Sequence, residues 1–358
     1  MSELVALLVA AFAGGALGAA VGALEAFSIA GVLIVAGEAV NVATEAAPDL
    51  TVDLTALGST GLTATVGLGP LFGPHVAFAG GVAATAFAAR QGYLDTDFEF
   101  HEAKNVGHAL GPRPDVLLVG GVFGVLGVAI AQASVTLGLP WDPIAFSIVV
   151  SGLLHRVALG YPLVGTVRGE GLLDMSPYER RIRRPPRADG GPDDGAGGER
   201  RFAVEPWLPH QYEWGQVAFL GAVVGVFGAF VTHRTGSPFL AFGITAATLL
   251  FLCVGVERFP VTHHVALVSS LAVVGLAGGA TTPDAFAAEV GLLVALLVGA
   301  AFGVVAALAA ELAQRLLYAH ADTHLDPPAV GIVVGTLLVA LLDVAGVFEQ
   351  AILPTMGL

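Results

Sequence analysis

Long apolar runs separated by short polar connections extend over almost the whole chain. Each run has about twenty residues, the length that an α-helix needs to cross roughly 30 Å of hydrocarbon. Because lipid cannot satisfy backbone polar groups, runs of this kind must be helical. The pattern predicts an all-α, polytopic transmembrane bundle of about ten spans. The predicted spans are 4–24, 27–46, 67–89, 115–137, 142–160, 215–232, 237–255, 261–279, 288–317 and 327–346.

Two parts of the chain carry the same residues in the same order. The string LLVGGVFGVLGVAIAQ at 117–132 returns as LLVGAAFGVVAALAAE at 296–311, with eight of sixteen positions identical. The string DPIAFSIVVSGLL at 142–154 returns as DPPAVGIVVGTLL at 326–338, with eight of thirteen identical. Weaker matches relate Gly14 and Gly18 to Gly221 and Gly225, and the triplet His75–Ala77 to His264–Ala266.

These matches predict two five-helix repeats, at residues 1–160 and 215–358. With an odd number of spans per repeat, the second copy would enter the bilayer upside down. Inverted repeats are typical of transporters and channels, whose working site lies near the membrane midplane between the halves. In plan only, this design is similar to urea transporters and ammonium channels. The alternative is chance likeness among helices rich in Gly, Ala and Val.

Residues 161–214 form the one long hydrophilic segment, which is first rich in Arg and then rich in Gly and Asp. The Gly/Asp-rich tract is too polar to build a core, so disorder is predicted. Because basic residues accumulate on the cytoplasmic side of membrane proteins, this linker is predicted to be cytoplasmic and both termini extracellular. Residues 47–66 are predicted to be either re-entrant or an external loop. The linker arginines predicted to bind anionic lipids are Arg180, Arg181, Arg183 and Arg184.

Composition excludes a soluble domain, since 55% of the residues are hydrophobic and 12% are charged. The chain has 29 acidic and 15 basic residues, a net charge of -14, and Lys104 as its single lysine. In these respects it resembles uncharacterised multi-pass membrane proteins of haloarchaea, which implies an archaeal cell-membrane protein of a salt-rich cell and no particular activity. A single cysteine, Cys253, excludes an intrachain disulfide.

Polar residues inside the apolar spans are the candidates for function, because placing ionisable groups in lipid is costly. Glu38, Asn41 and Glu45 follow one another at i, i+3 and i+7 on one face of the second span. An acidic lining of this kind favours a cation or a protonatable relay over an anion. The alternative is that Glu45, or both Glu45 and Glu38, lie at the outer headgroup level.

The pairs Asp142-Pro143 and Asp326-Pro327 begin the fifth and tenth spans. Asp is a favoured N-cap residue and Pro suits the first helical turn, so each pair is explained as a helix start. The functional interpretation is that these helix ends enter the bilayer and face a permeant. Both interpretations stay open at the level of sequence.

Further polar residues occur at the ends of other spans. His75 and His264 occupy equivalent places at the entries of the third and eighth spans, as gates or as interfacial residues. Asp343 is an intramembrane carboxylate near the end of the tenth span. Glu311 precedes Arg315 by four residues, which predicts an ion pair on one helix face. The pair His155-Arg156 is predicted to mark the inner membrane interface.

The sequence therefore predicts an integral membrane channel or secondary transporter for a small polar solute or cation, with its pathway between the repeats. A structural or scaffolding membrane protein is the alternative. No nucleophile–base pair or phosphate-binding loop is present in the sequence pattern. A possible metal cluster at the inner face is better explained as a solvated loop; its residues are His320, Asp322, His324 and Asp326. Neither enzyme activity nor a metal nor a cofactor is therefore expected. The expected partners are the lipid bilayer and a second copy of the chain, and no nucleic acid.

Overall fold

The computed structural model describes residues 2–46, 61–184, 201–280 and 282–351. Within these ranges the chain forms thirteen α-helices and no β-strand, which confirms the all-α prediction. A π-helical turn at Leu62–Gly67 precedes the third helix, and a 3-10 turn at Glu102–Lys104 follows it. The helices are α1 Ser2–Val21, α2 Ala23–Ala46, α3 Ala77–Arg90, α4 Pro114–Thr136, α5 Pro143–Ala158, α6 Ser176–Glu179, α7 Trp214–Thr235, α8 Leu240–Ala247, α9 Leu250–Cys253, α10 His263–Leu276, α11 Pro283–Glu289, α12 Leu292–Leu317 and α13 Pro327–Val344.

Six of the described helices are long and apolar enough to cross a membrane: α1, α2, α4, α7, α12 and α13. Large apolar side chains stay exposed on them, such as Leu118 on α4, Phe219 on α7 and Leu293 on α12. An apolar surface of this extent is unusual for a soluble monomer and suits contact with lipid. The length and composition of these helices are those of a membrane-embedded protein.

The other four predicted spans contain shorter helices. The helices α3 and α10 have 14 residues each, and α5 has 16. At 1.5 Å per residue, a 14-residue helix covers about 21 Å, less than the hydrocarbon thickness. The predicted span 237–255 is divided into α8 and α9. Six helices thus have the length of a span, where sequence predicted about ten.

Glycine and proline explain where α3 and α10 begin and end. The stretch before α3 contains Gly69, Pro70, Gly73 and Pro74, and its backbone runs through successive turns instead of a helix. Pro lacks the amide hydrogen that a helix interior needs, and Gly weakens helical segments. At its other end, α10 stops before Gly278 and Gly279, both with positive φ. Such residues end helices because only glycine adopts this conformation without strain.

The short helices α3 and α10 form the centre of the molecule. Every residue of α10 from His263 to Gly275 is buried, and so are most residues of α3. The long helices α1 and α4 pack around α3, and α7 and α12 pack around α10. The short helices α3 and α10 are therefore largely buried, and longer helices pack around them.

Glycines allow the long helices to approach one another closely. A Cβ atom at Gly15 of α1 would collide with the carbonyl oxygen of Gly120 on α4. In the same way, a Cβ atom at Gly225 of α7 would collide with the carbonyl oxygen of Gly299 on α12. Small residues at such crossings bring helix backbones together in membrane proteins. This packing holds each group of helices as a unit.

Two antiparallel helix pairs join the first part of the chain to the second. In one pair, Gly31 of α2 lies against Ala246 of α8, and further along α2 Ile34 lies against Gly243. In the other pair, α5 packs on α13. The space between these two pairs, α2/α8 and α5/α13, contains the candidate site.

The connection between the two parts folds against their ends. Of the predicted linker 161–214, residues 185–200 lie outside the described residues. The flanking parts are ordered: Ala203 donates its amide hydrogen to the carbonyl of Ile182, and Glu205 donates to Ala319, which follows α12. The described linker residues thus form a cap over the loops of both parts. The Gly/Asp-rich tract, for which disorder is predicted, lies outside the described residues.

Candidate functional site

A cavity of about 890 Å³ lies between the two parts of the chain. The first part contributes α2, the segment before α3, the loop after α3 and the start of α5, and the second contributes α8, α9, α10 and the start of α13. Glu99, Glu257 and Arg258 line it at the protein surface, where they are exposed. At its deep end, Ala145 and Ala329 are almost fully buried. The cavity therefore leads from the surface into the centre of the helix bundle.

Both predicted Asp-Pro helix starts line this cavity. Asp142 accepts a hydrogen bond from the Ala145 amide at 2.7 Å, and Asp326 accepts one from the Ala329 amide at 2.9 Å. Each carboxylate is thus a true N-cap, and Pro occupies the first helical turn. Capping and a position on the cavity, which sequence presented as alternatives, occur together.

The two helices that begin at these caps run in opposite directions. The Asp142 amide donates to the Thr336 hydroxyl at 3.0 Å, ten residues into α13 counted from its cap. At the other end, Gly152 of α5 faces Leu325, just before the start of α13. Asp142 and Asp326 therefore lie at opposite ends of one antiparallel helix pair.

Of the histidines near the start of α10, His263 reaches the cavity. Its side chain lines the cavity, is 5% exposed, and has a buried Nδ1 atom without a hydrogen-bond partner. The predicted residues His264 and His75 are buried away from the cavity, with Nδ1 likewise unpartnered. Sequence matching selected His264 because it is the one that aligns with His75. Whether His263 or His264 faces the cavity depends on the rotation of α10, and the matched triplet does not reveal that rotation.

A second histidine accompanies Asp326. The Nε2 atom of His324 lies 3.4 Å from Oδ1 of Asp326, and both residues line the cavity. The ring of His324 makes edge-on contacts with Phe78 and Tyr318, at centroid distances of 5.8 and 5.3 Å. Asp326 is thereby held by a hydrogen-bonded neighbour that aromatic rings keep in place.

Aromatic rings also line the cavity, and sequence reasoning missed them. Phe27 of α2 is central, with its ring centroid 5.8 Å from that of Phe78, 6.2 Å from Phe242 and 4.8 Å from His263. All four side chains line the cavity. In an apolar span, a cavity-lining Phe cannot be told from a lipid-facing one by type alone.

A buried ion network closes one side of the cavity. Lys104 lines the cavity with a fully buried side chain, and its ammonium donates to Glu205 at 2.7 Å and to the Tyr318 carbonyl at 3.0 Å. Arg201 donates to the two carboxylate oxygens of Glu205 through Nε and Nη2, and to Asp322 through Nη1 at 2.8 Å. These four charges tie together the loop after α3, the linker and the loop after α12.

Burial and neighbouring charges shift the pKa values in this network, which lies outside the candidate spans. Burial lowers the pKa of Lys104 to about 8, against the opposing effect of the Glu205 carboxylate. Burial raises the pKa of Glu205, but the charges of Lys104 and Arg201 lower it by more. The pKa of Glu205 is therefore held well below its ordinary value. Glu205 is therefore ionised and compensated by two cations.

The predicted acidic face of α2 lies away from the cavity. The Glu38 carboxylate is 5% exposed and accepts hydrogen bonds from Thr63 at 2.9 Å, Ser237 at 2.6 Å and Asn41 at 3.3 Å. Glu38 thus joins α2, the π-helical turn and the start of α8. The side chain of Glu45 lies outside the described residues. None of the described residues in this cluster lines the cavity.

The remaining predicted site residues are dispersed over the described surface. Asp343 accepts a hydrogen bond from the Ala351 amide at 2.9 Å, near the end of α13 and away from the cavity. Of the linker arginines, Arg180 and Arg181 are exposed. Arg184 binds Asp322 at 3.2 Å, and Arg183 lies over the Phe202 ring. Lipid binding by these arginines stays a prediction.

Two side-chain pairs near helix ends have different outcomes. Glu311 and Arg315 form the predicted ion pair, with Oε1 and Nε 2.5 Å apart, which confirms that prediction. The side chains of His155 and Arg156 are 0% exposed, so neither reaches water as an interfacial side chain would; their depth in the membrane stays a prediction. Arg156 donates instead to Thr323 and to the Leu317 carbonyl. The guanidinium thus replaces water with protein acceptors and fixes the turn between α12 and α13.

Among the described residues, no three His, Cys, Asp or Glu side chains are grouped so as to hold a metal ion. The arrangement instead provides a large, mainly apolar cavity with carboxylates at two helix starts. Such a cavity can admit and orient a small molecule.

Comparison with known proteins gives a family and no function. A family of unknown function, DUF7973, matches residues 1–356 of the chain. The chain therefore belongs to this family. Neither a curated protein nor a solved structure matches it.

Proposed function

We propose that this member of the DUF7973 family is an integral membrane channel or secondary transporter for a small polar solute or cation. The observation that carries the proposal is the 890 Å³ cavity between the two parts of the chain, onto which both Asp142 and Asp326 open. A closed structural protein has no need of such a cavity, whereas transport proteins bind their substrates between two halves near the midplane.

We infer that the two parts are copies of one five-helix unit, at residues 1–160 and 215–358. Equivalent contacts in the two parts support this inference. Gly15 meets Gly120 as Gly225 meets Gly299, and Gly18 meets Ala77 as Gly228 meets Ala266. Residues 75–77 and 264–266 keep the sequence match, but the match of the first helices shifts by three residues. Gly15 and Gly18 correspond to Gly225 and Gly228, in place of the predicted Gly14 and Gly18 with Gly221 and Gly225.

The direction of the helices supports inversion of the second copy. A shift of 184 residues brings Asp142 onto Asp326 and Gly152 onto Thr336. Asp142 contacts Thr336, and the start of α13 contacts Gly152 in return. A reciprocal exchange of this kind is what a twofold axis between antiparallel copies produces. The α2/α8 pair is antiparallel as well, from Gly31 with Ala246 to Glu38 with Ser237.

The short helices suit a transport site. Half-length helices that end inside the bilayer are tolerated where their free ends are buried in protein or face a cavity. The irregular backbone at 68–76 before α3 is largely buried, and α5 and α13 begin with caps that line the cavity. Discontinuous helices of this type form substrate sites in transporters.

We propose that the cavity opens on the cytoplasmic side. Its exposed residues Glu99 and Arg258 lie in loops on the face where Lys104 of one loop binds Glu205 of the linker. The linker carries the largest group of arginines, and such groups accumulate in the cytoplasm. An inward-open cavity with a closed outer end follows from this orientation.

The single cysteine of the chain, Cys253, provides the test, because it lines the cavity. The protein in liposomes is assayed for flux of K⁺, methylammonium and urea before and after reaction with a trimethylammonium-bearing methanethiosulfonate. Modification is expected to abolish flux, and a Cys253→Ser variant is expected to keep it. Complete labelling by mass with unchanged flux contradicts the pathway. If Cys253 stays unlabelled, Val256→Cys in the serine background places the thiol on an exposed lining residue.

A structural membrane protein is the second candidate. The three hydrogen bonds that Glu38 accepts from Asn41, Thr63 and Ser237 favour it, since buried acids that only hold helices together need no permeant. If the protein has only a structural role, liposomes that contain it pass none of the tested solutes. A substitution that fills the cavity then raises the free energy of unfolding.

A further inference from the structure

We infer that the cavity binds an organic cation, an ammonium group attached to an apolar body, in preference to a bare inorganic ion. That such a cation is transported rests on the proposed function. The binding site itself is inferred from the residues that line the cavity. Size, charge and the aromatic wall support it independently.

The volume of the cavity exceeds what an inorganic ion requires. Small-molecule sites range from about 300 to 1,000 Å³ and are mainly apolar with a few placed polar groups. Inorganic cations such as Ca²⁺ and Mg²⁺ need six or more oxygen ligands in a compact shell. The described lining offers no such group of oxygens. At 890 Å³, the cavity has the size of a site for a whole organic molecule.

Acidic side chains line the cavity at two separate places. Asp142 and Asp326 lie at opposite ends of the α5/α13 pair, and each uses one carboxylate oxygen for the helix cap. The other oxygen of Asp326 lies 3.4 Å from His324. Lys104, the one ammonium in the lining, is compensated by Glu205 at 2.7 Å. Arg258 lies at the exposed end. A ligand cation inside the cavity thus meets the carboxylate of Asp142 or that of Asp326 and, away from the exposed end, no uncompensated positive side chain.

The aromatic wall adds attraction of a kind that suits a poorly hydrated cation. The contacts of Phe27 with Phe78, Phe242 and His263 are tilted or edge-on, at interplanar angles of 54°, 56° and 74°. Phe27, Phe78 and Phe242 all line the cavity, so their rings border the space that a ligand would occupy. Ring faces attract ammonium groups, most strongly quaternary ones, at distances within about 6 Å.

Tryptophan fluorescence tests the inference, because Trp207 lines the cavity. The full chain in lipid nanodiscs is titrated with benzyltrimethylammonium, with its neutral carbon isostere neopentylbenzene, and with KCl at equal ionic strength. Saturable quenching by the ammonium compound alone is expected, and Trp207→Phe is expected to remove the signal. Equal binding of the neutral isostere overturns the inference.

Variants separate the two sources of affinity. Phe27→Leu removes a ring, and Asp142→Asn removes a charge while keeping a side chain that caps helices well. Each is expected to weaken ammonium binding about tenfold or more. Phe219→Leu on the exposed face of α7 is the matched control and leaves binding unchanged. Unchanged affinity in a folded Phe27→Leu and a folded Asp142→Asn overturns the inference.

Flux in liposomes distinguishes this inference from the proposed function. Saturable ammonium binding without flux of any solute removes the transport proposal and keeps the site. Flux of K⁺ or urea without ammonium binding keeps transport and removes the organic cation as its substrate.

Discussion

Buried carboxylates occur in two surroundings in this protein. Glu38 and Glu205 are saturated: Glu38 accepts three side-chain hydrogen bonds, and Glu205 lies between Lys104 and Arg201. Asp142 and Asp326 instead cap helices and line the cavity. All four lie inside the protein, so burial alone does not separate them. What each carboxylate faces decides whether it can meet a ligand.

This difference assigns stability to the first group and substrate contact to the second. A saturated carboxylate leaves its partners unpaired when it is removed, and unpaired buried groups are costly. A capping carboxylate that faces a cavity can be replaced by Asn with little loss of helix stability. Stability and flux are therefore expected to respond to different substitutions.

The largest expected effect is acid destabilisation of the ion network around Glu205. His101 lies in this network, where burial first, and then Arg201 and Lys104, lower its pKa to about 3 against the opposing effect of Asp322 and Glu205. Between pH 6.5 and 3 the unfolded chain therefore binds more protons than the folded one, so stability falls as pH falls. We expect a loss of about 4 kcal/mol between pH 7 and pH 4, measured by unfolding at each pH.

A matched variant identifies the group responsible for the acid effect. His101 accepts the Ala103 amide hydrogen through Nδ1, and Asn in its place can accept the same bond. In His101→Asn, the loss of stability between pH 7 and pH 4 should be smaller than in the parent by about 3 kcal/mol, the part that His101 contributes. The same slope in both proteins would show that His101 is not the titrating group.

The next largest effect concerns Glu38. Glu38→Ala leaves the hydroxyls of Thr63 and Ser237 without their acceptor, so we expect a loss of about 3 kcal/mol in the free energy of unfolding. Thermal unfolding in detergent measures it, and Glu38→Gln, which keeps one acceptor oxygen, should lose less. A Glu38→Ala protein as stable as the parent would place Glu38 with the cavity acids instead.

Much of the fold follows from the order of polar and apolar residues. The apolar runs predicted the positions of the long helices, and the matched Asp-Pro pairs predicted two helix starts that the structure brings to one cavity. The Gly/Pro-rich entry at 69–74 held the signal for the short α3, because these residues disfavour helix. These glycines and prolines limit the length of α3, and the count of apolar residues alone did not predict this.

The candidate site was predictable only in part, because type and spacing do not reveal what a side chain faces. Phe27 and Phe219 both occupy apolar helices, yet one lines the cavity and the other is 73% exposed. Glu38 attracted attention as an acid in a span, but its partners Thr63 and Ser237 come from distant parts of the chain. Long-range pairing of this kind leaves no local trace in sequence.

The smallest expected effect separates the two groups of carboxylates most directly. In liposomes, Asp142→Asn should lower flux of a cation such as methylammonium about tenfold, because one partly screened charge contributes about 1–2 kcal/mol. Glu38→Gln, measured per folded molecule, should leave flux unchanged, since Glu38 lies off the cavity. Equal loss of flux in both variants would mean that the pathway includes the acidic face of α2. Loss in Glu38→Gln alone would move the pathway there altogether and leave the Asp142 carboxylate as a helix cap.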